Sequence, residues 1–263
     1  MSVEVKGLDF SYGDIPVLHG VSFSIEDGEL VAVLGPNGVG KSTLFGCLLG
    51  FLNPTSGSVS LFGHEVQTLS RRELARCVSY IPQSAAPVYN YTVLDMVTMG
   101  LTGQLGLFRA PAPEHREQAM EALDGLGIAH LAYRGCNRIS GGERQLMVLA
   151  RALVQGARLL VMDEPTANLD YGNSFRVMER VRELTRSGMT VIFSTHEPNH
   201  AFRYAGRVLA LKGGSVLADG VPGEVLQEEA LSTLYGIDVA VRQTSVGGET
   251  IKLSIPYQGG PET

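Results

Sequence analysis

The sequence predicts an α/β fold: a mainly parallel sheet with a helical segment inserted into it. Two observations carry this. Leu30-Val-Ala-Val-Leu34 and Leu159-Leu-Val-Met162 are unbroken apolar runs, the pattern of strands buried on both faces of a parallel sheet. Between them, from about residue 92 to 154, the periodicity becomes helical, broken by a Gly/Pro-rich stretch over 100–113. With 263 residues, 44% of them hydrophobic, the chain has the means for a full core and is not disordered.

In chain order, residues 3–10 and 21–25 alternate apolar and polar side chains as half-buried strands do. The run at 30–34 ends at Gly35, and a helix pattern follows over 41–49. Residues 59–62 and 78–81 read as further strands. Glu114 and Glu117 favour the start of a helix that lines up Ala119, Met120, Leu123 and Leu126 on one face. After the 159–162 strand, Phe175, Met178, Val181 and Leu184 stripe another helix, and 190–194 is again a strand. From Val208 onward, short alternating segments and glycine pairs predict a small β-rich tail.

Composition excludes several classes. A net charge of −6 gives no field that favours nucleic acid. Three scattered cysteines, Cys47, Cys77 and Cys136, with no CxxC pair, fit a reducing compartment rather than a disulfide framework or metal site. No stretch reaches the ~18 apolar residues of a membrane span. The start, Met-Ser-Val-Glu-Val-Lys-Gly, lacks the basic and apolar regions of a signal peptide. The expectation is a cytosolic chain that reaches a membrane only by docking to something else.

Gly35-Pro36-Asn37-Gly38-Val39-Gly40-Lys41-Ser42-Thr43 matches G-x-x-x-x-G-K-[ST]. Its glycines let successive N–H groups turn toward phosphate oxygens, and the helix that follows presents its positive end to the same anion. Lys41 would reach the β- and γ-phosphates, and the Ser42 hydroxyl would ligate Mg²⁺. The chain has only four lysines, so a motif demanding Lys is hard to meet by accident. The match also sits where the mechanism requires it, between a buried strand and a helix. A nucleoside triphosphate site follows. At the end of the second buried run, Asp163 and Glu164 stand together before Pro165. In phosphate-loop enzymes an Asp here holds Mg²⁺, and a neighbouring Glu is suited to activate the attacking water. Carboxylates are also common where a strand ends in solvent, so the phosphate loop is what gives this pair its meaning.

Ile139-Ser140-Gly141-Gly142-Glu143-Arg-Gln145 then resembles the signature of ATP-binding cassette (ABC) ATPases. Read alone, Ser-Gly-Gly at the start of a helix over about 143–154 is an N-cap with flexible glycines, and its hydroxyl and N–H groups could face an anion. Other pieces follow the family's order. Tyr12 matches the aromatic that stacks on adenine. Gln83, in Tyr80-Ile-Pro-Gln83, matches the glutamine that touches Mg²⁺ and the surroundings of the attacking water. Ala167-Asn-Leu-Asp170 resembles the aspartate loop that crosses between subunits, and His196 matches the histidine that contacts the γ-phosphate. Ile139 and Glu143 stand where the signature commonly has Leu and Gln, and Glu197-Pro-Asn-His follows His196 where Asp-Leu-Asn is usual.

The resemblance implies a phosphate-loop ATPase core with a mainly parallel sheet, an N-terminal antiparallel β subdomain and an inserted helical subdomain. It implies one ATPase domain over 1–263: core over 1–85 and 156–215, helical subdomain over 86–155, and tail over 216–263. Its cofactors are ATP and Mg²⁺. Two copies of the chain would sandwich two ATP molecules between the phosphate loop of one and the Ser140, Gly141 and Gly142 of the other. Tyr80-Ile-Pro-Gln83, Tyr91-Thr-Val-Leu-Asp-Met-Val-Thr-Met-Gly100 and Leu234-Tyr-Gly-Ile-Asp-Val239 are most similar to importer subunits for iron–siderophore, haem and vitamin B12, and closely to those for molybdate/tungstate. Such subunits sit on the cytoplasmic face of the inner membrane, on a separate permease served by a substrate-binding protein. The interval 43–139 holds neither the sustained heptads nor the CxxC pair of DNA-repair or chromosome-organising cassettes, and ribosome-associated cassette proteins normally carry two cassettes. A soluble iron–sulfur-assembly ATPase shares the same motifs, and exporters with separate chains exist. The resemblance also places permease docking after Gln83, within 84–107, where Ala85-Ala-Pro-Val-Tyr-Asn-Tyr91 and Leu105-Gly-Leu-Phe108 gather apolar and aromatic groups.

Overall fold

The computed structural model describes residues 1–83, 91–103 and 111–258. The surface expected to dock a permease falls largely on 84–90, with Val88 and Tyr89, and on 104–110, outside the described residues. The chain divides into two compact units, Met1–Thr68 with Thr190–Thr263, and Leu69–Met189. The expected fold class, mixed α/β with a mainly parallel sheet and an antiparallel β part, is what the structure has.

The first unit opens with β1 (Val3–Tyr12), β2 (Ile15–Ile25), β3 (Leu30–Leu34), α1 (Lys41–Leu48), β4 (Ser56–Leu61) and β5 (His64–Glu65). Strands β2-β1-β4-β5 form an antiparallel sheet. In β1, Val3, Val5, Leu8 and Phe10 are buried, the inward positions changing from odd to even across a register shift between Val5 and Leu8. β2 begins at Ile15 rather than Val21: exposed Ile15 and Pro16 pair with Tyr12 and Ser11, and buried Leu18 pairs with Phe10.

In the second unit lie α2 (Arg71–Cys77), β6 (Val78–Ile81), α3 (Val93–Thr98), α4 (Pro113–Gly125), α5 (Gly141–Val154), β7 (Leu159–Met162) and α6 (Tyr171–Arg186). β6 and β7 pair in parallel. Side chains close the helix starts. Ser70 with Glu73, Thr92 with Asp95 and Ser140 with Glu143 form capping boxes, and Asp170 caps α6. On α4, Ala119 and Leu123 are buried as expected, and Leu126 is buried just past its end. The stripe on α6 differs from expectation. Val177, Met178 and Val181 are buried and Phe175 is 40% exposed, since a helix turning 100° per residue cannot bury both Phe175 and Val177 on one narrow face.

The chain returns to the first unit as β8 (Thr190–Thr195), α7 (Pro198–Tyr204), β9 (Arg207–Lys212), β10 (Ser215–Gly220), α8 (Pro222–Val225), α9 (Glu228–Tyr235), β11 (Asp238–Val246) and β12 (Glu249–Tyr257). β3 is flanked in parallel by β8 and β9, and β10 pairs antiparallel with β9. All five residues of β3 are buried, which reads out as its unbroken apolar run. The tail is less purely β than expected, since α8 and α9 precede the β11–β12 hairpin. The hairpin turns on Gly247 and Gly248, both at positive φ.

Candidate active site

Each unit carries its own share of the expected residues. In the first, β3 ends at Leu34 and the phosphate loop runs from Gly35 into α1. Gly35 is required by packing: a Cβ there would meet the Leu211 carbonyl oxygen at 2.6 Å. Gly38 (φ 80°) and Gly40 (φ 108°) take left-handed backbone that side chains disfavour. Pro36 is half-buried, Asn37 and Ser42 are exposed, and Val39 and Thr43 are buried. Gly40 caps α1 without a side-chain hydrogen bond, so the cap leaves the first-turn N–H groups to another acceptor. Lys41 is only 5% exposed, and its Nζ donates to the carbonyls of Gly35 (2.7 Å) and Pro36 (3.1 Å). The loop thus holds an ammonium inside its own curve at the positive end of a helix, an arrangement suited to a phosphate.

Tyr12 closes β1, 52% exposed and braced edge-on by Phe10 with ring centroids 4.8 Å apart. The ring is steered by a neighbour and open to a flat partner. His196 is exposed just past the end of β8. The preceding carbonyl, of Thr195, accepts from the Gly35 N–H at 3.3 Å, so the histidine's turn is tied to the phosphate loop.

In the second unit, Asp163 and Glu164 follow β7 directly. Asp163 is 6% exposed, and its N–H donates to the Ile81 carbonyl of β6 at 2.8 Å. Gln83, two residues beyond that carbonyl, donates from Nε2 to Glu164 Oε2 at 3.0 Å. The parallel pairing of β6 and β7 therefore brings together the glutamine and the acidic pair that the sequence holds some eighty positions apart. Burial, and then the Asp163 carboxylate, push the Tyr80 phenol up to about 12. Glu164 has φ 45°, a left-handed backbone that sequence reasoning had no means to foresee. Such strain persists only where surrounding structure enforces it, and it gathers at functional sites.

The signature helix begins earlier than expected, at Gly141 rather than Glu143, with Ser140 as N-cap. Ser140 Oγ accepts from the Glu143 N–H at 3.3 Å, while Glu143 Oε2 accepts from the Ser140 N–H at 2.7 Å. That bond holds the Glu143 carboxyl below its ordinary range and completes the capping box. Gly142 is buried, and a Cβ on it would lie 2.4 Å from Asn173 Cγ of α6, whereas one on Gly141 would meet only Leu169 Cδ2 at 3.6 Å. Asn173 is itself held by Asp170, through its N–H to Oδ1 (2.8 Å) and its Nδ2 to Oδ2 (2.7 Å). The glycine pair and the aspartate loop thus interlock, with Asn168 of that loop at φ 64°.

A glycine-rich loop that leads from a buried parallel strand into a helix, in an α/β fold with an acidic pair ending another parallel strand, defines the class of phosphate-loop nucleotide hydrolases. Comparison with known proteins narrows it. Residues 18–167 match the ABC transporter family, and the chain belongs to that family of ATP-hydrolysing, ATP-binding cassettes. Among curated relatives, a probable iron chelatin transport ATP-binding protein of Helicobacter pylori is 35% identical, covering 89% of this chain and 93% of its own. A phosphonates import ATP-binding protein of Pseudomonas savastanoi is 37% identical over 90% of each chain. Among solved structures, one assigned to the metal-chelate type of ABC transporter, in an inward-facing conformation, is 31% identical with a TM-score of 0.88, covering 97% of both chains.

Proposed function

We propose that this chain is the ATP-hydrolysing subunit of an importer that takes up a metal chelate of the iron–siderophore, haem or cobalamin type through a separate membrane permease. The observation that carries the hydrolase is the buried Lys41 ammonium, held by the carbonyls of Gly35 and Pro36 at the start of α1. The cargo class is supported by the metal-chelate transporter that matches 97% of the chain and by the iron chelatin relative. A relative named for phosphonates keeps an oxyanion cargo, such as molybdate or tungstate, as the second reading. A soluble iron–sulfur-assembly ATPase is the third.

In this reading Tyr12 stacks on adenine, and residues 35–43 wrap the phosphates with Lys41 on the β- and γ-oxygens. Ser42 would offer an oxygen to Mg²⁺, as would Asp163 and Gln83, and the cation would neutralise charge on the transferred phosphoryl group. Glu164 receives a proton from the attacking water, with Gln83 orienting its carboxylate, and His196 contacts the γ-phosphate. Ser140, Gly141 and Gly142 serve the nucleotide of a second copy, so the working form is a homodimer. The chain acts as one ATPase domain, with core residues 1–85 and 156–215, helical residues 86–155 and a tail over 216–263. No helix among the described residues is long and apolar enough to cross a membrane. The permease, served by a substrate-binding protein, would hold the subunit peripherally at the cytoplasmic face of the inner membrane. The test is Lys41→Ala: the fold stays, as circular dichroism reports, while ATP binding by calorimetry or turnover is abolished. Turnover like wild type in that variant overturns the site. Co-purification with a membrane protein separates the importer from the soluble ATPase.

A further inference from the structure

The C-terminal helix and hairpin bear on the turn that carries His196. β8 delivers His196 from a strand paired in parallel with β3, up to Leu34 opposite Thr195. The peptide before His196 is pinned by its oxygen, the Thr195 carbonyl, which accepts from Gly35 N–H at 3.3 Å. The peptide after His196 is pinned by its own oxygen, which accepts from the Tyr235 hydroxyl of α9 at 2.9 Å. With both flanking peptide planes held, the freedom left to the imidazole is that of its own side-chain torsions.

Three residues on, Asn199 in the first turn of α7 repeats the tie to the tail. Its Oδ1 accepts from the Ser254 N–H (2.8 Å) and pairs with Ser254 Oγ (3.0 Å), and its Nδ2 donates to the Ser254 carbonyl (3.2 Å). Ser254 lies in β12 and is 8% exposed, so this triple contact is shielded from competing water. Burial, and then the Glu197 charge, raise the Tyr235 phenol well above its ordinary range, which keeps it a neutral donor across physiological pH.

We infer that Tyr235 and Asn199 are positioning residues for His196, the two ties by which α9 and Ser254 of β12 brace its turn. The inference rests on His196 contacting the γ-phosphate, as proposed above. One lost hydrogen bond of about 1 kcal/mol converts to about a fivefold loss of the correctly held turn.

The test measures ATP turnover of the purified full-length chain at saturating and limiting ATP, with thermal melting alongside. Tyr235→Phe removes one oxygen, and kcat falls about fivefold with KM for ATP changed less than about twofold. Asn199→Ala lowers kcat at least as far. Lys252→Met is the control. It cuts a tie from β12 to the Gly223 carbonyl that involves neither Tyr235, Asn199 nor Ser254, and leaves kcat as in wild type. His196→Ala separates the two ideas. If it keeps wild-type turnover, the role given to His196 is wrong. If it is inactive while Tyr235→Phe and Asn199→Ala keep kcat, the brace is refuted. Equal kcat losses in Lys252→Met and Tyr235→Phe also refute it, since the hairpin would then act through general stability.

Discussion

Two neighbouring glycines of the signature respond in opposite directions to the same added methyl group. A Cβ on Gly142 lies 2.4 Å, 2.5 Å and 2.7 Å from Cγ, Oδ1 and Cβ of Asn173, and the last of these cannot move without the α6 backbone. Overpacking of this kind costs about 1–3 kcal/mol. Turning Asn173 away also weakens its bond to Asp170 Oδ2, worth about 1 kcal/mol, while alanine in place of glycine returns about 1 kcal/mol of helix propensity. The balance for Gly142→Ala is a loss of about 2 kcal/mol, or a Tm lower by about 4–8 °C in a chain of this size. On Gly141 the same Cβ meets Leu169 Cδ2 at 3.6 Å, ordinary contact, so Gly141→Ala keeps part of the propensity gain and melts at or slightly above wild type. Scanning calorimetry of both variants reads the contrast, and Gly142→Ala combined with Asn173→Gly isolates the clash, because glycine at 173 removes all three crowding atoms. Equal Tm values for the two alanine variants, or no relief from the double change, refute the reasoning.

At position 164 the usual order of substitutions inverts. Glu164 has φ 45°, where an L-residue pays about 1–2 kcal/mol. Glu164→Gly and Glu164→Ala both lose the bond to Gln83, yet the glycine variant is the more stable in urea by about 1 kcal/mol; the ordinary order, with alanine ahead, contradicts the strain. For His200, burial holds the imidazole below its ordinary value, against the opposing pull of Glu197 and with the support of His196 and Arg203. The unfolded chain therefore binds the proton first. Its contribution is complete above the unfolded value of about 6.5 and is lost as pH falls below it. Urea midpoints between pH 7.5 and 5 fall more steeply for wild type than for His200→Gln, and parallel curves would contradict the assignment.

Much of this was legible in the chain because burial on both faces leaves a plain mark. Leu30–Leu34 and Leu159–Met162 have in the structure the bounds their apolar runs predict. Where one face meets water the mark weakens. Ile15 is 68% exposed at the start of β2, and nothing in its neighbours' hydropathy announces a strand. Phe175 reads as core by spacing alone, yet Val177 takes the inward position, which only packing decides. The helix α2 carries a local start signal, the capping pair Ser70 and Glu73. At the site, the phosphate loop and Ser140 as an N-cap were local patterns and so readable. The Gln83–Glu164 bond joins residues distant in sequence, and the tie from Tyr235 to the His196 carbonyl runs through a backbone atom that carries no residue identity. Neither could be seen before the strands and helices were placed.

The central claim is that Glu164 accepts the proton of the attacking water, and Glu164→Gln tests it most directly. The amide keeps the shape of the side chain and its place beside Gln83 but removes the base. ATP affinity by calorimetry stays close to wild type, ATP-dependent dimer accumulates on size exclusion, and turnover falls by about 10²–10⁴-fold. Turnover at the wild-type rate in Glu164→Gln would contradict the account.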